Sequence, residues 1–234
     1  MQKRGHYLNL WNDILTVHYR LKMIRYCSIC ISLCFLLVAS CSKEDDSVDI
    51  PTNRTIIVYM AANNDLSDDA CDNIKDMQSG YEEKGANLLV FIDPADDAPH
   101  NLRIHHGGST RVKTCPEFNS ADAAQMKEVL NDIIAMYPAV SYGLVLWSHG
   151  TSWLPAGRQL KSFGEDSGSQ MDIAPLAAAL PVRFDFILMD ACLMGSVEVA
   201  YELGNKTDFF LASSTETIYL GFPYAQIVPE LLQI

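Results

Sequence analysis

Two stretches of this chain end in residues that can do nucleophilic chemistry. "YGLVLWSHG", residues 142–150, runs apolar and then surfaces at Ser148, His149 and Gly150. "FDFILMDAC", residues 184–192, does the same and delivers Asp190 and Cys192. A thiol attacks as thiolate, and a nearby imidazole or a helix N-terminus favours that form. The same imidazole can serve as base and then as acid toward a leaving group. Gly150 and the amides around Cys192 can hold an oxyanion. A buried carboxylate such as Asp190 can pair bidentately with a guanidinium, which selects cations over neutral side chains. Each residue also has a plainer role. A lone core cysteine is commonly packing, a lone histidine structural, and an acid ahead of a helix its cap. Their joint position on two strand ends is what favours chemistry.

The elements that must position them alternate regularly. "TIIVYMAA" (55–62), "NLLVFIDP" (87–94), residues 142–150, residues 184–190 and "DFFLASSTE" (208–216) read as apolar strands. Helical patterns separate them. "LSDDACDNIKDMQSGYEEKG" carries Ala70, Ile74 and Met77 on one face, with Ser67 expected as its N-cap and Gly85 as its stop. "SADAAQMKEVLNDIIAMYP" has Ser120 as the expected cap and Pro138 beyond its end. "MDIAPLAAALP" forms a short helix, and another is expected to begin near Met194, just after Cys192. "NLRIHH" is expected as a short edge strand, and residues 151–170 as a long polar loop. Apolar strands alternating with helices imply an α/β fold with a mostly parallel sheet covered on both faces. Functional sites of such sheets lie outside the carboxyl ends of the strands. Among those ends, only Cys192 and His149 offer a nucleophile and a base.

Composition bounds the partners. The formal charge is −12 over 234 residues, and 12 basic against 28 acidic residues remain from Cys41 onward. That balance argues against nucleic acid as a partner. Residues 23–40, "MIRYCSICISLCFLLVAS", have the length of a signal-peptide core and are short for a membrane span. They end in "LVASC" and then "SKEDD", which resembles the lipobox and acidic export tag of Bacteroidetes-type lipoproteins, with Cys41 as the lipidated residue. An ordinary secretion signal or an N-terminal anchor helix is the alternative, and Met23 is an alternative start. "CSIC" (27–30) lies in the apolar core and is discounted as a metal motif. Cys71, Cys115 and Cys192 then remain as thiols, with no zinc-like spacing. The expected layout is a signal and extension at 1–40, a tether at 41–53 and a folded domain at 54–234. The expected location is the outer membrane or surface of a Gram-negative bacterium.

"LVLWSHGTSW", "ILMDACLMGSVEVAYEL" and "IIVYMAANNDL" together resemble the clostripain family of cysteine peptidases, over roughly residues 54–224. The resemblance implies a caspase-like three-layer α/β/α sandwich, with His149 as general base and Cys192 as nucleophile. It implies protein or peptide substrates cut after Arg, and sometimes Lys. Asp190 would line the pocket for that side chain, with Glu216 as a second acid. It also implies self-cleavage between the histidine and the cysteine, where Arg158 and Lys161 in "PAGRQLKSFG" are the basic residues. No cofactor is expected beyond calcium, for which Asp93, Asp96 and Asp97 in "DPADDAP" are the candidate ligands; a solvated acidic turn is the plainer reading. Relatives continue past "FPYAQIVPELLQI", so a C-terminally truncated domain is expected. Two other readings stay open: a gingipain-like or legumain-like peptidase, and an inactive lipoprotein that only binds peptide or protein.

Overall fold

The structure, a computed structural model, describes residues 52–151 and 162–233. Its centre is a seven-stranded sheet. β1 (Thr52–Ala62) pairs in parallel with β2 (Ala86–Pro94) on one side and with β5 (Ala139–Trp147) on the other. β5 is followed outward by β8 (Phe184–Asp190) and β9 (Thr207–Ala212), both parallel. On the opposite edge, β3 (His100–His105) and β4 (Gly108–Thr114) turn antiparallel, giving the order β4-β3-β2-β1-β5-β8-β9. β6 (Ser162–Asp166) and β7 (Ser169–Asp172) form a separate antiparallel hairpin.

The two-residue alternation of each strand divides the core. Ile56, Val58 and Met60 of β1 face one cluster, and Ile57, Tyr59 and Ala61 face the other. The first cluster is closed by α1 (Ser67–Gly80) through Ala70, Ile74 and Met77, and by α5 (Tyr224–Leu231) through Tyr224 and Val228. The second is closed by α2 (Ala123–Met136), α3 (Ile173–Ala179) and α4 (Val197–Leu203). Each fully buried Leu, Ile or Phe of these layers contributes on the order of 1.5–3 kcal/mol. The result is an α/β/α sandwich, as the apolar strands require.

Several local expectations are corrected. Ser67 is the first residue of α1, not its cap; Leu66 holds that position, and the Ser67 hydroxyl instead accepts from the Ala95 amide at 3.0 Å. α1 stops at Gly80 rather than at Gly85, since Tyr81 turns extended at φ −68° and ψ 129°, and Gly80 packs where a Cβ would lie 2.6 Å from the Ala225 carbonyl of α5. α2 is capped by Asp122, whose carboxylate accepts from Ala124 and Gln125, whereas Ser120 is buried and donates its amide to Asp166. β3 is not an edge strand, since β4 covers it. β4 leaves no apolar signal in the sequence, since "GSTRVKT" is mostly exposed. The apolar end of the chain does find a surface, with Tyr224, Val228 and Leu232 buried in the same cluster as α1. None of the helices among the described residues is long and apolar enough to cross a membrane.

Candidate active site

The connection from β1 leads to β2 on one side of it, while β5 lies on the other, so the carboxyl ends of β1 and β5 flank a topological switch point. Open α/β sheets bind ligands at such a point. β1 brings Asn63, Asn64 and Asp65 to it, β5 brings Ser148 and His149, and β8 brings Asp190, Ala191 and Cys192. Trp147 pairs with Asp190 in the ladder, and Ser148 donates its amide to the Asp190 carbonyl at 3.3 Å. His149 and Cys192 therefore leave adjacent strands at the same level. A cleft of about 120 Å³ runs over them, lined also by Leu66, Asp190, Thr217 and Tyr219.

His149 is half-buried, and its Nε2 lies 2.7 Å from Asp65 Oδ1. Among the described residues, no hydrogen bond joins it to Cys192. The thiol instead meets the segment after β9: the Thr217 amide donates to Sγ at 3.3 Å, and Thr217 Oγ1 lies 3.5 Å away. Leu193 donates its amide to Thr215, and Gly195 to Ser213, which fastens the cysteine loop to that segment. Leu193 sits at φ 62°, a left-handed conformation that costs a β-carbon residue about 1–2 kcal/mol. A helix starting just after the thiol was expected. The structure corrects this: α4 begins at Val197 behind the cap Ser196, and the intervening turn keeps its dipole from Cys192. The polar partners of the thiol are the amide, the hydroxyl and the carbonyl of Thr217, the last accepting from Sγ at 3.6 Å.

Gly150 packs where no side chain fits, since a Cβ there would lie 2.6 Å from the Cys192 carbonyl oxygen. It bridges Phe163 of β6, and the bonds of that bridge are made by its neighbours, Thr151 to Ser162 and Gly164 to His149. In such a non-hydrogen-bonded pair the residue's own N–H points away from the partner strand. That leaves the Gly150 amide facing away from β6, while Gly150 itself is not among the residues that line the cleft.

Asp190 is buried, and its Oδ2 accepts from Tyr224 Oη at 2.7 Å and from the Phe222 amide at 3.1 Å. Burial pushes its carboxyl above the usual range, and the two donors pull it back. The same burial, with Asp190 alongside, pushes the Tyr224 phenol well up. Gly221, at φ +67°, lets the chain pass close beside Asn73, Asp190 and Trp147. Asn73 ties this turn down by donating to the Leu220 carbonyl and accepting from Trp147 Nε1, both at 2.9 Å. Asp190 thus lines the cleft and is held by the C-terminal segment; it does not cap α4, whose cap is Ser196.

Other expected residues lie elsewhere. Glu216 is exposed, and the cleft lining holds its neighbour Thr217 rather than Glu216 itself. Asp93, Asp96 and Asp97 do not come together. Asp93 is buried at the end of β2, while Asp96 and Asp97 are exposed and Asp97 is paired with Arg111. Those three residues do not fit a calcium site, and no cluster of three or more His, Cys, Asp or Glu among the described residues could hold a metal ion. Cys41, Arg158 and Lys161 fall outside the described residues. Asp65 and Thr217, which touch the histidine and the thiol, were not singled out from sequence. Only Asp65 left a signal, as the carboxylate on the β1 tip.

The strand order, the helices on both faces and a histidine and cysteine on adjacent tips define a caspase-like α/β/α sandwich. A model of the clostripain family matches residues 58–233, and the chain belongs to that family. It is similar to clostripain of Hathewaya histolytica, 25% identical over 79% of this chain and 44% of that protein. It is also similar to the crystal structure of a secreted C11 cysteine protease from Bacteroides thetaiotaomicron with an irreversible peptide inhibitor. That likeness is 38% identity and a TM-score of 0.71, over 78% of this chain and 55% of the other. An inactive zymogen C11 protease from Parabacteroides distasonis is 34% identical with a TM-score of 0.68, over 78% and 54% of the two chains. The chain thus spans about half the length of these relatives.

Proposed function

We propose that this protein is a cysteine endopeptidase that cleaves after basic residues. The observation that carries the reading is the level placement of His149 and Cys192 on adjacent strand tips, over a cleft floored by the buried Asp190. His149 takes the thiol proton as Cys192 attacks the carbonyl, and returns it to the leaving amine. The Gly150 amide faces the developing oxyanion. Asp190 receives the guanidinium or ammonium of the residue before the cut. Its burial without a cationic partner among the described residues leaves that role to substrate. Self-cleavage after Arg158 or Lys161 opens the site. The peptidase domain, which β1 opens at Thr52 rather than at the expected residue 54, is carried on the preceding tether from a lipid on Cys41 at the outer membrane or cell surface.

The test is a panel of fluorogenic peptides with Arg, Lys, Asn or Asp before the cut, comparing wild type with Cys192→Ala. Turnover of Arg and Lys peptides by wild type alone supports the reading. Turnover confined to Asn or Asp peptides overturns the specificity, and equal rates in the variant overturn the nucleophile. For self-cleavage, wild type should be cut between His149 and Cys192 while purified Cys192→Ala stays whole. Equal cutting of both would remove that step. Metabolic labelling with an alkyne fatty acid, lost in Cys41→Ala, tests the anchor.

A further inference from the structure

We infer that Asp65 is a positioning residue for the His149–Cys192 pair, a third member supplied by β1. The inference rests on the peptidase reading above. His149 Nε2 lies 2.7 Å from Asp65 Oδ1, so the ring has a carboxylate acceptor on one nitrogen. A carboxylate at that distance fixes the ring proton on Nε2 and leaves Nδ1 as the basic atom. A histidine that must accept a proton from a thiol needs its tautomer and its ring plane set in advance. Asp65 can do both.

The turn that carries Asp65 is built to hold it there. Asn64 donates Nδ2 to the carbonyls of Ala61, at 3.1 Å, and Glu165, at 2.7 Å, and its Oδ1 accepts from the Leu66 amide at 2.9 Å. Ser148, beside the histidine, donates Oγ to the same Ala61 carbonyl at 2.6 Å and accepts from the Glu165 amide at 3.1 Å. Asn63 ties the turn to the β6–β7 hairpin through Asp166 at 2.9 Å, and its carbonyl accepts from Ser167. The β1 tip, the β5 tip and the hairpin are therefore one hydrogen-bonded unit. Asp65 and His149 are mounted on two parts of that unit. The contact also holds the Asp65 carboxyl below its usual range, chiefly through the hydrogen bond from His149. Asp65 is itself solvent-exposed, so its effect is smaller than that of a buried triad carboxylate.

The test uses the full chain with Asp65→Asn, Asp65→Glu and Cys192→Ala. On the Arg peptide, Asp65→Asn should lower kcat about 10- to 100-fold with KM little changed, and Asp65→Glu should restore part of the loss. Nitrogen-15 NMR of His149 in resting protein should show the Nε2–H tautomer in wild type and a mixed population in Asp65→Asn. Unchanged kcat, a loss confined to KM, or an unchanged tautomer in Asp65→Asn would overturn the inference. The tautomer is read without substrate. An inactive wild type with an Asp65-dependent tautomer would thus sink the peptidase reading and leave the Asp65–His149 coupling standing.

Discussion

Replacing Asp93 by Asn should change how stability depends on pH, by an amount the structure lets us work out. Asp93 ends β2 with both carboxylate oxygens out of contact with solvent and without a hydrogen-bond partner among the described residues. Asp166 stands nearby, already accepting from Asn63 and from the Ser120 amide. Burial, then the charge of Asp166, push the Asp93 carboxyl from 3.8 up to about 7, against an opposing pull from Ser120. A carboxyl whose folded value is raised binds its proton more tightly in the native state. Its contribution is complete below the unfolded value near 3.8 and is lost as pH rises through about 7. Between pH 5 and pH 8 that loss comes to roughly 3 kcal/mol, at about 1.4 kcal/mol per pH unit over the two units up to 7. Asn cannot ionise, so Asp93→Asn should lack this slope. The intrinsic cost of burying the amide is the same at every pH and cancels. Urea unfolding of both proteins at intervals from pH 5 to 8 reads the effect. With a slope of about 2 kcal/mol per molar urea, the midpoint of the variant should gain about 1.5 M on wild type across the range. A gap that stays constant with pH, or narrows, would mean that Asp93 does not hold its proton through this range.

Two further substitutions test the site itself. Gly150→Ala would force a Cβ to within 2.6 Å of the Cys192 carbonyl oxygen, a backbone atom that cannot swing aside. Peptidase turnover should fall about 100-fold or more, and a crystal structure should show the Cys192–Leu193 peptide displaced. Tyr224→Phe removes a 2.7 Å donor from the buried Asp190, at a stability cost of about 1–3 kcal/mol by thermal or urea unfolding. It should also push the Asp190 carboxyl further up. Weakened use of Arg peptides should then appear first at the acid end of the pH profile, where Asp190 protonates earlier than in wild type.

Much of this was legible because parallel strands buried on both faces write themselves as apolar runs. β1, β2, β5 and β8 were visible for that reason, and the polar residues that end such runs marked His149, Asp190 and Cys192. What stayed hidden depended on contacts distant in sequence. The Ser67 and Ser120 caps failed because Ala95 and Asp166 engage those residues instead, and no local pattern reports that. β4 escaped because its exposed, polar alternation looks like loop. Thr217 carries no signature at all; it reaches the thiol only because Leu193 and Gly195 zip the cysteine loop to the segment after β9. Glu216, its neighbour, was the more tempting residue by charge, yet it faces solvent. The acidic turn after β2 looked like one cluster in sequence, but Asp93 is still in the strand and turns into the core.

Under the proposed function, Cys192, activated by His149 and aimed by Asp190, attacks substrates with a basic residue before the cut. A peptidyl acyloxymethyl ketone ending in Arg, followed by intact-mass and peptide-mapping spectrometry, tests it directly. One adduct should form, located on Cys192, abolished in Cys192→Ala, slowed strongly in His149→Ala and absent with the matching Asp reagent. Labelling at Cys71, equal labelling by the Asp reagent, or no Arg-dependent adduct would contradict it.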